Sequence, residues 1–229
     1  MSKTIKRAVV IGATGLVGRK LIQQLQQVEQ CEQIVAIVRA RDAQLAKLSK
    51  VEQWIMQDFL MLNDQDVAGF SHAFSCLGST IKKAGSKDKF YAIDFEINAH
   101  FADLLEATDT HLLMITAQGA DPHSLFFYNR VKGELEQYLQ QAELSQVSIF
   151  RPSLLLGERE EARPLEDLSQ GLFQKISQFV PDTFKYKPVT ADQVAHTMVL
   201  VAQTQTEKIR IYDNLMIQQT DADKCVCKK

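Results

Sequence analysis

Two rhythms of apolar and polar residues alternate along this chain. Short strand-like runs, rich in β-branched residues, occupy 7–11, 33–38, 53–57, 72–76, 111–116 and 147–150. Between most of them apolar residues recur every three or four positions, over 16–28, 43–48, 87–107 and 124–142. The first pattern predicts strands buried on both faces, and the second predicts amphipathic helices. Regular strand–helix alternation needs right-handed crossovers, and therefore a parallel sheet with helices on both sides. Six strands in this order fit an α/β fold, a doubly wound Rossmann-type sheet of order 3-2-1-4-5-6. Ligands of such a sheet bind at the carboxyl ends of its strands.

After Phe150 the rhythm changes. Residues 152–188 hold four of the five prolines and the aromatics Phe173, Phe179, Phe184 and Tyr186. A helix is expected over 166–179 and another over 191–202, with Thr190 as N-cap. A short strand at 209–212 could add a seventh member to the sheet. The whole of 1–229 reads as one domain, with 152–215 forming a substrate-side cap and 216–229 a flexible tail around Cys225 and Cys227. The aromatic cluster could line an apolar pocket, although such spacing also suits a core. Arg159 and Arg163, set among Glu158, Glu160 and Glu161, read as a solvated charge run.

Composition removes several function classes. With 45% apolar and 24% charged residues and a net charge of −2, the chain has neither the basic excess of a nucleic-acid binder nor that of a protein held on anionic membranes. Its apolar runs are too short to span a bilayer, and no signal-peptide core follows the polar start, so the expected location is cytoplasmic. The four cysteines make no disulfide framework, and the five histidines are scattered without metal-ligand spacing.

The chemistry begins at the first strand. It runs into Gly12-Ala13-Thr14-Gly15-Leu16-Val17-Gly18 and then into a helix. Glycine lets the backbone approach a pyrophosphate, and a helix N-terminus offers unpaired N–H groups and partial positive charge. The spacing is G-x-x-G-x-x-G, not the usual G-x-G-x-x-G. At the end of the second strand, where an acid would accept from the ribose of NAD, stand Arg39 and Arg41. A guanidinium suits a 2′-phosphate, so NADP(H) is expected over NAD(H). Asp42 comes too late for that role and is expected to open the next helix. Asp58 and Phe59 could meet the adenine, and Cys76-Leu77-Gly78 could pass close to the cofactor. Tyr128 and Lys132 stand four apart on a predicted helix and so share a face. An ammonium beside a phenol stabilises the phenolate, which makes Tyr128 the acid/base candidate.

Together these motifs resemble the short-chain dehydrogenase/reductase superfamily, and in particular its atypical branch around the Tat-interacting protein oxidoreductase-like group. Cys76-Leu77-Gly78-Ser79-Thr80, Lys83-Ala84-Gly85, Gly119-Ala120-Asp121, residues 128–136, Phe150-Arg151-Pro152 and Gly157-Glu158-Arg159 carry the closer match. The resemblance implies that Gly12, Gly15 and Gly18 hold the pyrophosphate and Arg39 the 2′-phosphate. It implies that Lys132 binds the nicotinamide ribose while tuning Tyr128, and that Pro152 and Ser153 lie beside the nicotinamide. The family commonly has two serines where this chain has Thr116-Ala117. Thr116 becomes the candidate hydroxyl for a substrate carbonyl; Ala117 cannot serve. Asn98 is expected on a helix surface. The implied activity is NADP(H)-dependent reduction of a small carbonyl-like substrate. The alternatives are an NADP(H)-binding regulator that works through a protein partner, and isomerase chemistry on a retained cofactor.

Overall fold

The computed structural model describes residues 4–156 and 185–226, with side chains to residue 220. Seven parallel strands form one sheet. In chain order they are β1 (Arg7–Ile11), β2 (Gln33–Val38), β3 (Val51–Ile55), β4 (His72–Ser75), β5 (His111–Ile115), β6 (Gln146–Phe150) and β9 (Ile209–Tyr212). Their spatial order is β3-β2-β1-β4-β5-β6-β9, the expected doubly wound arrangement with the seventh strand added beside β6. Leu155–Leu156 (β7) and Val189–Thr190 (β8) pair separately.

Alternation along each buried strand divides the core in two. Val10, Ile34, Ala36, Phe74, Leu113 and Phe150 face helix α1 (Leu16–Leu25) and helix α7 (Ala191–Thr204), meeting Leu21, Ile22, Val194 and Met198. Val9, Ile11, Ile37, Leu112, Met114 and Ile149 face the other way. They pack on Phe101 of α5 (Ile97–Asp103) and on Leu135 and Leu139 of α6 (Phe127–Gln141). Each such side chain larger than alanine, fully removed from water, contributes roughly 1.5–3 kcal/mol.

Several boundaries differ from expectation. The third strand starts two residues early and is only half-buried, because as an edge strand it is covered on fewer sides. The expected helix at 43–48 is one 3₁₀ turn, Leu45–Lys47. The long helix expected at 87–107 is three pieces: α4 (Lys87–Tyr91), a π-turn (Ala92–Glu96) and α5. Two further short helices, α2 (Asp64–Val67) and α3 (Ile81–Ala84), precede α4.

Residues 191–212, expected in a cap, instead extend the sheet and line its core. Thr190 does cap α7: its hydroxyl accepts from Gln193 N at 3.1 Å, and Gln193 Oε1 accepts from Thr190 N at 2.8 Å. The expected tail is largely helical, since α8 spans Asn214–Val226 and its Ile217 is completely buried against the first core. The helix expected at 166–179, the aromatics Phe173, Phe179 and Phe184, and the Arg159–Arg163 charge run lie outside the described residues. Tyr186 is described and is 48% exposed.

Candidate functional site

The site forms where β1, β2, β4 and β5 end. Beyond β1 the chain turns at Gly12, whose φ is +73°. A Cβ there would come within 2.4 Å of the Cys76 carbonyl carbon, so the glycine turn rests directly on the backbone leaving β4. Gly15 N donates to Gly12 O at 3.0 Å, and a Cβ on Gly18 would sit 2.2 Å from the same oxygen. Helix α1 then starts with Gly15 as N-cap, no side-chain cap and no acid in its first turn. Its leading N–H groups are open to an anion. Val17 is buried and can contribute only its backbone there; Thr14 and Gly15 are exposed and Leu16 is half-buried.

Arg39 and Arg41 stand exposed after β2. Asp42, the nearest acid, is tied down: Arg19 Nη2 lies 2.7 Å from its carboxylate, which also accepts from the N–H groups of Gln44 and Leu45. Burial pushes this carboxyl up, but the Arg19 hydrogen bond and those N–H groups outweigh burial and hold it below the usual carboxylate range. Asp58 caps the 3₁₀ turn Phe59–Met61 by accepting from Leu60 N at 3.0 Å. Phe59 is 7% exposed and lies in the second core, so its ring is not free to face an adenine. Along the β4 exit, burial pushes the Cys76 thiol up to about 12.

On α6, Lys132 is 3% exposed and its Nζ lies 2.7 Å from Asp94 Oδ1. Asp94 is fully buried in the π-turn, and its other oxygen accepts from Ser79 N at 2.8 Å. A Cβ on Gly78 would lie 3.2 Å from Asp94 Oδ1 and 3.4 Å from Lys132 Nζ. One turn before Lys132, Tyr128 is half-buried with its ring 5.5 Å from that of Phe90. Asn98 is 1% exposed, not on the surface as expected. It accepts from the Ser75 hydroxyl at 2.5 Å, and its amide donates to the Ile93 and Asp94 carbonyls that the π-turn frees.

Thr116 also departs from expectation. Its hydroxyl donates to Glu136 Oε1 at 2.5 Å, and Glu136, 2% exposed, is gripped by the Arg151 guanidinium. The one proton of Thr116 is therefore turned into a buried cluster, not towards a substrate carbonyl. Ala117 is 7% exposed. Pro152 O accepts from Gln118 N, and Ser153 is fixed through its N–H to Asn214 Oδ1 and its hydroxyl to Lys187 O. Asp94, Glu136, Arg151 and Asn214 are the residues that sequence reasoning missed. A signal existed for one of them: Glu136, like the expected Lys132, falls on the apolar stripe of α6 with Val131, Leu135 and Leu139, and a buried charge demands a partner.

Residues 7–94 match the family model described as semialdehyde dehydrogenase, NAD binding domain. Protein FMP52-1, mitochondrial, of Scheffersomyces stipitis is 31% identical over 88% of this chain and 90% of its own length. Protein HTATIP2 of Rattus norvegicus is 31% identical over 75% of this chain and 72% of its own. The chain belongs to the FMP52/HTATIP2 family. Over residues 7–94 it carries an NAD(P)-binding Rossmann domain, and its fold is of the short-chain dehydrogenase/reductase type.

Solved structures agree on the fold. MoeE5 in complex with UDP-glucose and NAD superposes with a TM-score of 0.69 at 14% identity, over 90% of this chain and 74% of that one. The UDP-glucuronic acid 4-epimerase of Bacillus cereus, in complex with NAD, gives 0.69 at 13% identity, over 90% and 77%. The FMP52 relatives correct one expectation: those of S. stipitis, Debaryomyces hansenii and Emericella nidulans are named mitochondrial, which overturns the cytoplasmic assignment. Among the described residues no helix is long and apolar enough to cross a membrane.

Proposed function

We propose that this FMP52/HTATIP2-family chain is an NADP(H)-dependent oxidoreductase acting on a small carbonyl-like substrate, with Tyr128 as acid/base. One observation carries the reading: a lysine ammonium buried at the carboxyl edge of the sheet, one helical turn from a tyrosine that keeps access to solvent. Burying an ammonium is costly unless it is paired, so a lysine held there is one whose position matters.

The residues present fit the dinucleotide. The glycine cradle leaves no room for a Cβ at Gly12 or Gly18, and the first turn of α1 is uncapped. These would hold the pyrophosphate. Arg39, with Arg41 beside it, would take the 2′-phosphate, and the capture of Asp42 by Arg19 removes the nearest acid that could select NAD. Gly78, Cys76 and Leu77 would border the nicotinamide on one side, Pro152 and Ser153 on the other, and Lys132 would bind its ribose. When bound, the nicotinamide supplies or accepts a hydride. Tyr128 would give its phenolic proton to the substrate oxygen in reduction and take it back in oxidation.

A second reading has its own support. Ala117 and the engagement of Thr116 by Glu136 leave no hydroxyl from that pair for a substrate oxyanion. A catalytically weak NADP(H)-binding protein that acts through a protein partner would need none. Titration with NADPH and NADH, followed by turnover on a panel of small aldehydes and ketones, separates the two. For the oxidoreductase, Arg39→Ala should weaken NADPH about 10–100-fold by loss of a charge-assisted bond while sparing NADH. Tyr128→Phe should cut turnover about 10²–10⁴-fold while sparing NADPH binding. NADPH binding without turnover favours the second reading, and binding of neither nucleotide defeats both.

A further inference from the structure

Four stretches of chain converge on one side chain beside the candidate site. Asn214 is completely buried. Its Oδ1 accepts from Ser153 N and its Nδ2 donates to Lys187 O, each at 2.8 Å. Its own N–H reaches Gln118 Oε1 at 3.4 Å, and Gln118 N donates to Pro152 O at 2.8 Å. The exits of β5, β6 and β9 and the entry to β8 are thereby tied together. Helix α8 does not need this amide for its own start, where Asp213 Oδ1 already accepts from Met216 N at 2.9 Å.

Asn214 instead completes a ladder. β7 and β8 pair Leu155 with Val189 and Leu156 with Thr190, and Val189 N donates to Leu154 O at 3.1 Å. Carried back by two residues, this register sets Ser153 opposite Lys187. The ladder cannot continue through Pro188, which has no N–H. The carboxamide of Asn214 supplies the missing donor and acceptor, one to each segment. The effect on the loop leaving β6 is complete. Pro152 has no N–H to give, Ser153 N is taken by Asn214, and the Ser153 hydroxyl donates to Lys187 O at 2.7 Å. With every donor of Pro152 and Ser153 committed, these two residues meet a ligand through their shape and position.

We infer that Asn214 is a positioning residue for the nicotinamide end of the site: it holds Pro152 and Ser153 where the ring packs, so that binding of the nicotinamide half, and not of the adenine half, depends on it. This rests on the proposed placement of the nicotinamide beside Pro152 and Ser153. The two halves are well separated. Arg39 follows β2 and Ser153 follows β6, four steps apart in the order β3-β2-β1-β4-β5-β6-β9. At the usual spacing of neighbouring strands that is roughly 19 Å. A residue that merely stabilised the fold would affect both halves alike or neither.

The test compares two ligands on the full chain by calorimetry: NADPH, and adenosine 2′,5′-bisphosphate, which carries the adenine half alone. Asn214→Ala should raise the Kd of NADPH about tenfold, the worth of roughly one hydrogen bond, and leave that of the bisphosphate within about twofold of the parent. Equal losses for both ligands, or none for either, in a folded variant overturn the inference. Should that variant fail to fold, Ser153→Ala keeps the Asn214 amide and cuts only the tie from the hydroxyl to Lys187 O. The same split is expected there at about threefold, and an unchanged Kd for NADPH overturns it. A parent that binds NADH and not NADPH would retire the NADP(H) reading alone, and the same comparison with NADH and ADP would decide the role of Asn214. A parent that binds neither dinucleotide defeats both, whereas NADPH binding that is indifferent to the substitutions retires only the role of Asn214.

Discussion

Replacing Gly133 by alanine tests how closely α6 is laid against the loop that precedes it. In an open helix this change stabilises by about 0.8–1.0 kcal/mol, because glycine loses more backbone freedom on folding. Here the new Cβ would lie 2.2 Å from both the Asp121 carbonyl carbon and Pro122 N, and 2.6 Å from Asp121 Cα. All three are backbone atoms, with no flexible side chain to swing away. Restoring ordinary contact needs the helix and loop to part by roughly an ångström. That strains the hydrogen bond from Asp121 N to Asn129 O, now 3.1 Å. Overpacking of this kind costs about 1–3 kcal/mol and the hydrogen bond about 1 more. Against the propensity gain, the net loss is about 1–3 kcal/mol, or a Tm lower by roughly 3–10 °C for a chain of this length. Thermal melts and urea titration of the purified chain read this directly. A Gly133→Ala variant as stable as the parent, or more so, would refute the close-approach argument.

Glu136→Gln should destabilise by about 2–4 kcal/mol, near the lower part of the range for a broken buried pair because Arg151 keeps 28% of its side chain exposed; an unmoved urea midpoint would contradict this. Asp42 is held below the usual carboxylate range, so its pairing with Arg19 stabilises fully above the ordinary carboxyl pKa and is lost as pH falls through the depressed value. The stability gap between the parent and Asp42→Asn should accordingly be constant near neutrality and close only in acid. With its thiol pushed up to about 12, the half-buried Cys76 should alkylate slowly at pH 8 in the folded chain and faster on unfolding, and peptide mapping that finds it modified early would count against the raised thiol.

What was legible in the sequence follows from where the information lies. Strands β1 and β2 matched their predicted limits because buried parallel strands leave an unbroken apolar run with sharp ends, and the edge strand β9 matched through its alternating Ile-Arg-Ile pattern. The glycine turn was legible because only glycine tolerates the contacts at Gly12 and Gly18. The π-turn was not, because one extra residue in a helical repeat scarcely alters the apolar rhythm. Asp94 and Arg151 escaped for a related reason: their partners, Lys132 and Glu136, are distant in sequence, and only the folded chain brings them together. The docking of α8 was hidden by composition, since a helix with one deeply buried contact, Ile217, and a hydrogen-bonding start at Asn214 looks much like a polar tail.

The π-turn also makes one stretch of the chain uneven in how it tolerates change. Residues 87–103 wind as two helical segments whose azimuths are reset between them. Removing a single residue from Ala92–Glu96 would take out the extra residue that the π-turn absorbs and let the run close as plain α-helix, whereas inserting one directly after Glu96 would rotate everything beyond it by about 100°. Phe101 and Ala102 would swing out of the core, and Asn98 would lose Ser75. Point substitutions on the outer face, such as at Glu96, disturb none of this. The segment is therefore insensitive to spelling and acutely sensitive to added length, and a single-codon insertion there would do more damage than most amino-acid replacements.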